Sequence, residues 1–245
     1  MNVLIEKIVG NLFDVSLAFK GELTLTSEME VLMNAIFMNK IPALWEKLAF
    51  PSARGLNSWL DNVKQRLDQL NAWKDEPSKL PKVTFLNRLF NPQSFLTAIQ
   101  QVKAKEGIEL NKMMIFTNVT KKLYWEEDLP EPKEGALIFG FQVEGARWDP
   151  QVGQLEECLP KKSFSVVPVV HCVAGLVPDA GKEDKNSYRC PVYKTEARGM
   201  TYVFAAQLKT SKHPPQMWVL RGVAIILDVE GISDSYAPNK QTPLQ

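Results

Sequence analysis

The chain has 245 residues, 45% hydrophobic and 23% charged, with 29 basic side chains against 28 acidic ones and a net charge of +1. That length suffices for one large domain or two small ones, each with a sizeable core. Nothing in the even charge balance suggests a strongly basic nucleic-acid or anionic-membrane surface, and no apolar run nears the roughly 20 residues of a membrane span. Cys158, Cys172 and Cys190 form an odd set without short paired spacing, which predicts free thiols in a reducing, cytosol-like compartment. Glu6 and Lys7 interrupt the first apolar segment and no basic leader precedes it, so no secretory signal is expected.

Residues 1–110 are written in the helical period. A first helix is predicted over Val3 to Phe19, with Leu4, Ile8 and Leu12 inward. Ser27 and Glu30 read as a capping box opening a second helix that carries Leu32 and Ile36. From Leu56 to Trp73 the apolar positions Leu56, Trp59, Leu60, Val63, Leu67, Leu70 and Trp73 form one stripe. Asn91-Pro92 is a cap-then-proline start for a further helix bearing Phe95, Ile99 and Val102, and Gly107 is a natural stop.

Past residue 110 the period drops to two. Leu137, Phe139, Phe141 and Val143 alternate with their neighbours, as do Tyr202, Phe204, Ala206 and Leu208. Met113–Val119, Val166–Ala174, Tyr188–Lys194 and Val219–Val229 are further strand candidates, with turn-rich connections and no helix between them. The expected fold class is α+β: a helical segment over 1–110, then an incomplete antiparallel β-barrel over 111–229, then a flexible polar tail over 230–245.

The sequence carries few signs of chemistry. Gly175 to Gly181-Lys182-Glu183 departs from a phosphate loop in its spacing, in the proline it contains and in the acid that replaces the hydroxyl residue, so a solvated turn is the better reading. His171 and Cys172 are neighbours, and a strand would send them to opposite faces, which disfavours a shared metal ion. Cys190 beside Pro191 has no indicated base, and only His171 and His213 could serve as one. The run Glu126-Glu127-Asp128 reads as solvated loop surface. Trp125, Tyr188, Tyr193 and Tyr202 raise an oligonucleotide-binding barrel, yet the basic groove that such a module needs is missing. No catalytic, cofactor-binding or metal-binding residue is proposed.

One cluster stands apart. After the strand ending at Val143, the sequence places Glu144, Gly145, Arg147, Trp148 and Asp149 within six positions. A glycine there permits a turn or bulge. Arg147 is expected to bridge Glu144 or Asp149 while Trp148 seals the edge, making a corner that also presents a contact patch.

Several stretches carry a family resemblance. Asn39-Lys-Ile-Pro-Ala-Leu-Trp45, Asn91-Pro-Gln-Ser-Phe-Leu-Thr97, Val143-Glu-Gly-Ala-Arg-Trp-Asp149, Cys190-Pro-Val-Tyr-Lys-Thr195 and Trp218-Val-Leu-Arg-Gly-Val-Ala224 follow in order along almost the whole length. Together they resemble the C-terminal domain of dynein heavy chains, in their axonemal rather than cytoplasmic form. Two departures are the opening Met1 to Lys7, which matches an internal segment of the family, and the tail beyond Asp228, which runs on where many members stop.

The resemblance implies a helical segment followed by an incomplete barrel, lying across one face of the AAA+ motor ring after its sixth module. It implies no ATP site and no enzyme activity in these residues, ATP and magnesium being bound elsewhere in the motor, and an influence on force and processivity. The implied partners are AAA+ modules of the same heavy chain and, through the full-length motor, the dynein complex and microtubules; neither nucleic acid nor membrane is expected. The implied location is the cytoskeleton, in the axoneme of a cilium or flagellum. On this footing Trp45, Tyr193 and Arg221 join the corner residues as structural or interface candidates. The alternative reading is a stand-alone oligonucleotide-binding-like or protein-interaction module.

Overall fold

The computed structural model describes residues 1–75, 77, 81–122, 129–177, 186–210 and 212–229. Trp125, the acidic run 126–128, the loop 178–185 with Gly181, Lys182 and Glu183, and the tail 230–245 lie outside the described residues. The chain divides into two compact units, Met1–Asn71 and the part from Ala72 onward.

The first unit holds α1 (Asn2–Phe19), α2 (Ser27–Phe37), α3 (Ala43–Glu46) and most of α4 (Leu56–Asp75). α1 buries Leu4, Ile8 and Val15, whereas Leu12 is 45% exposed. Steps of four and seven keep those three on one side of a 3.6-residue turn, and position 12 has drifted off it. The cap of α2 is Thr26, one residue before the expected Ser27; its hydroxyl accepts from the Met29 amide at 3.3 Å. Trp45 and Trp59 stack with centroids 6.4 Å apart, and Phe50 lies 6.1 Å from Trp59. The indole N–H of Trp45 donates to Asn11 Oδ1 at 3.1 Å, so its polar atom is satisfied inside the unit.

The inward face of α4 differs from the expected stripe. Asn62, Arg66 and Gln69 are buried beside Leu56, Trp59 and Val63, while Leu60 is 40% exposed. Arg66 is compensated: its Nε donates to Asn62 Oδ1 at 2.7 Å, and its guanidinium lies 3.4 Å above the Phe50 ring centroid. The buried Asn62 Nδ2, by contrast, has no hydrogen-bond partner among the described residues.

In the second unit α5 (Pro92–Ala104) starts as expected, with Asn91 Oδ1 accepting from the Ser94 amide at 3.4 Å and proline at the first helical position. The strands are β1 (Thr84–Phe85), β2 (Met113–Val119), β3 (Ala136–Phe139), β4 (Gln142–Glu144), β5 (Arg147–Asp149), β6 (Gln154–Glu156), β7 (Phe164–Val166), β8 (Val170–Leu176), β9 (Ser187–Thr195), β10 (Tyr202–Lys209) and β11 (Ala224–Asp228). They form a sheet β1-β3-β8-β2, a sheet β10-β9-β11-β4-β7 and the hairpin β5-β6.

Of the expected incomplete antiparallel barrel, the strand direction is corrected: not all pairs are antiparallel. β1–β3 and β9–β11 are parallel pairs, and the described residues form three mixed or small sheets with no closed barrel. A parallel pair needs a crossover, and α6 (Pro215–Leu220) occupies that link between β10 and β11. Val219 and Leu220, expected to open a strand, therefore end a helix. β3 pairs with β8 and β4 with β7 in one continuous register on either side of Gly140, which has φ +102 and the Asn87 side chain against it. The core joins Leu86 and Leu96 to Ile138, Phe141, Val143, Cys172, Cys190, Val192 and Ile225. No described helix is long and apolar enough to cross a membrane.

Candidate functional site

The corner begins where β4 ends. Gly145 takes φ +78, a backbone state that side chains resist, and its Cβ position faces Val223 and the Arg221 carbonyl. The backbone reverses there, Ala146 is fully buried, and β5 pairs with β6 through Arg147↔Glu156, Trp148↔Leu155 and Asp149↔Gln154. Trp148 is buried in the core, and its amide lies 3.4 Å from Ser165 Oγ on β7.

Arg147 pairs with Asp149 at 3.2 Å and not with Glu144; its Nε donates to the Glu157 carbonyl at 3.1 Å. Asp149 closes the hairpin: Oδ1 accepts from the amides of Gln151 at 2.9 Å and Val152 at 3.2 Å. The Val152 amide above all, with the Gln151 amide and the Arg147 guanidinium, holds the Asp149 carboxyl below the ordinary carboxylate range. Glu144 is taken instead by Arg198 at 2.7 Å, a partner 54 residues away. Arg221 pairs with Glu157 at 2.9 Å, and Lys212 with Glu156 at 3.1 Å. The Lys212 ammonium holds the Glu156 carboxyl low.

The structure thus brings Glu144, Gly145, Arg147, Trp148 and Asp149 into one corner and links Arg221 to it through Glu157. Tyr193 lies elsewhere, on β9 opposite Tyr202, their rings 5.9 Å apart edge to face. Trp45 belongs to the aromatic stack of the first unit. Sequence reasoning missed Arg198, Glu156, Glu157 and Lys212. Of these only Arg198 stood beside a sequence signal, the glycine at 199 that marks a turn; nothing in the sequence pointed to Glu144 as its partner.

Beside the corner lies a cavity of about 520 Å³ with Trp148, Phe164 and Val166 on its wall and Arg147, Lys161 and Lys162 around it. Elsewhere, burial pushes the thiols of Cys172 and Cys190 well up. His171 Nε2 lies 2.7 Å from the Glu134 carbonyl, which can only accept, so that nitrogen carries a proton. Among the described residues no group of three His, Cys, Asp or Glu side chains could hold a metal ion.

The family model for the C-terminal domain of dynein heavy chains matches residues 1–227. The protein belongs to this family. It is 45% identical over 232 residues to the dynein beta chain of the flagellar outer arm of Chlamydomonas reinhardtii, covering 94% of this chain and 5% of that one. It is 42% identical over 231 residues to a ciliary dynein beta chain of Tripneustes gratilla, and 40% identical over 230 residues to human dynein axonemal heavy chain 9, with the same coverage of 94% and 5%. It therefore spans only a small fraction of the length of these relatives. In this dynein heavy-chain domain, the corner motif Val143–Asp149 and the Cys190–Thr195 strand both fall within the matched residues.

Proposed function

We propose that this chain is a non-catalytic regulatory and structural domain of an axonemal dynein heavy chain, in the axoneme of a cilium or flagellum. In this reading it packs on AAA+ modules of the same heavy chain and tunes microtubule-based movement, and ATP and magnesium are bound elsewhere in the motor. The observation that carries the reading is the match over nearly the whole length, together with relatives named as flagellar outer-arm, ciliary and axonemal dynein chains.

Physical features support it. In the first unit Val9, Phe13 and Phe19 of α1 and Val31 and Phe37 of α2 are each at least 60% exposed, a load of apolar surface that suits burial against further protein. Cys190, the nucleophile candidate, is fully buried with its thiol pushed up, which suits a packing role. The incomplete barrel is part of the proposal: the long paired strands β3–β4 and β7–β8 belong to both sheets, and Thr117 on the free edge of β2 bonds to Gln207 on the free edge of β10.

The test is a heavy chain from which residues 72–229 are deleted, compared with the intact one in microtubule gliding and single-molecule force. Altered velocity or stall force with retained ATP hydrolysis is expected. Unchanged gliding and force, or hydrolysis by the purified 245-residue protein alone, contradicts the reading.

A further inference from the structure

The geometry points to the β7 edge and its adjoining cavity as a docking site for an acidic partner segment, bound in extended form as an added strand. β7 is the last strand of its sheet. Its ladder to β4 is flanked by Gly145 N–H donating to Ser163 O and Val167 N–H donating to Phe141 O. In an antiparallel ladder the hydrogen-bonded pairs alternate. Residues 163, 165 and 167 therefore turn their main-chain groups toward β4, and those of Phe164 and Val166 turn away from it with no ladder partner among the described residues. An open strand edge is a template for another polypeptide.

The cavity beside this edge supplies recognition. Trp148, Leu159 and Val166 give it an apolar wall that would take a side chain, and no acidic residue lines it. Arg147, Lys161 and Lys162 stand around it. Arg147 shares its charge with Asp149, while Lys161 and Lys162 are exposed and have no carboxylate partner among the described residues. The two lysines project from a tight turn in which Lys162 N–H donates to Leu159 O at 3.1 Å. Pro160 precedes Lys161, which takes φ +65 where glycine or asparagine is normally preferred. Lys161 and Lys162 thus put positive charge beside the cavity. Charge and shape therefore select a partner strand with carboxylates flanking an apolar residue. This site lies wholly in the second unit and does not rest on the motor-ring reading above.

The experiment uses fluorescence anisotropy of the 245-residue protein with a fluorescein-labelled peptide alternating Glu and Val around a central Phe. A peptide with Lys in place of Glu, and one with Gly in place of Val and Phe, are the controls. The acidic apolar peptide is expected to bind saturably, more weakly as salt rises, and both controls to bind at least about tenfold more weakly. Val166→Pro removes an N–H that faces away from β4 and is expected to weaken binding about fivefold, the loss of one hydrogen bond. Lys162→Glu, on the exposed turn, keeps the test independent of that strand and is expected to weaken binding about tenfold. Equal binding of all three peptides, absence of saturable binding, or unchanged affinity in the folded Lys162→Glu variant overturns the proposal. Self-association that Val166→Pro abolishes also overturns it, since a second copy would then be the occupant.

Discussion

Thr117 and Gln207 exchange a reciprocal set of hydrogen bonds 90 residues apart in sequence. The Gln207 amide donates to Thr117 Oγ1 at 2.7 Å, that hydroxyl donates to the Gln207 carbonyl at 2.9 Å, and the Thr117 amide donates to Gln207 Oε1 at 3.2 Å. A threonine hydroxyl here replaces a ladder residue between two strand edges that do not pair directly. Thr117→Val keeps the shape and removes both hydroxyl bonds, leaving main-chain groups of Gln207 without partners. The expected cost is about 1–3 kcal/mol, seen in urea unfolding. Faster hydrogen exchange at the Gln207 amide should accompany it, and unchanged exchange there would show that the contact does not hold the seam.

Two glycines of similar backbone state make a controlled comparison. Gly135 has φ +73 and a Cβ there would collide with the Cys172 main chain, whereas Gly153 has φ +77 and open space around it. Gly153→Ala is expected to cost about 1–2 kcal/mol, the ordinary penalty of a left-handed alanine. Gly135→Ala must in addition move β3 from β8, so its thermal midpoint should fall further. Equal midpoints would mean that the strands give way freely.

The charges of the corner make an acid-sensitive element. Asp149 has its folded pKa depressed, so its contribution to stability is present above the ordinary carboxylate pKa of about 4 and is lost as pH falls through the folded value. Asp149→Asn keeps a carbonyl oxygen for the Val152 amide but does not titrate. The stability of this variant should therefore depend less on pH below about 4 than that of the parent. Parallel pH curves would contradict the assignment. Arg147→Ala, which loses the Asp149 pair and the Glu157 carbonyl, should lower the melting temperature at neutral pH.

Much of the helical half was legible because periodicity alone defines an amphipathic helix. The face of α4 was misread because Asn62, Arg66 and Gln69 enter the interior, and what compensates Arg66 is a hydrogen bond and the Phe50 ring, neither visible in a hydrophobic pattern. Strand alternation located β2, β3, β8, β9 and β10. It could not reveal that β11 runs parallel to β9, since register between strands about 33 residues apart is decided by packing (Ile225↔Val192). Three-residue strands such as β5 and β6 are too short to show a period. At the corner, Gly145 was readable from its residue type, but Arg198 as the partner of Glu144 required the folded protein.

The three thiols should separate by burial. Burial pushes all three thiols up, but Cys158 is only half-buried, whereas Cys172 and Cys190 are fully enclosed. Titration of the native protein with a disulfide reagent near pH 8 should label Cys158 first and the other two only on unfolding. Simultaneous labelling of all three without unfolding would contradict the packing of the core.

The central claim, membership of an axonemal motor protein, is tested most directly by an immunoblot of isolated cilia and of the deciliated cells, with an antibody raised against these 245 residues. A ciliary band roughly twenty times heavier than 27.7 kDa, as coverage of 5% of the relatives implies, is the expected result. A band near 27.7 kDa that stays with the cell bodies would contradict it.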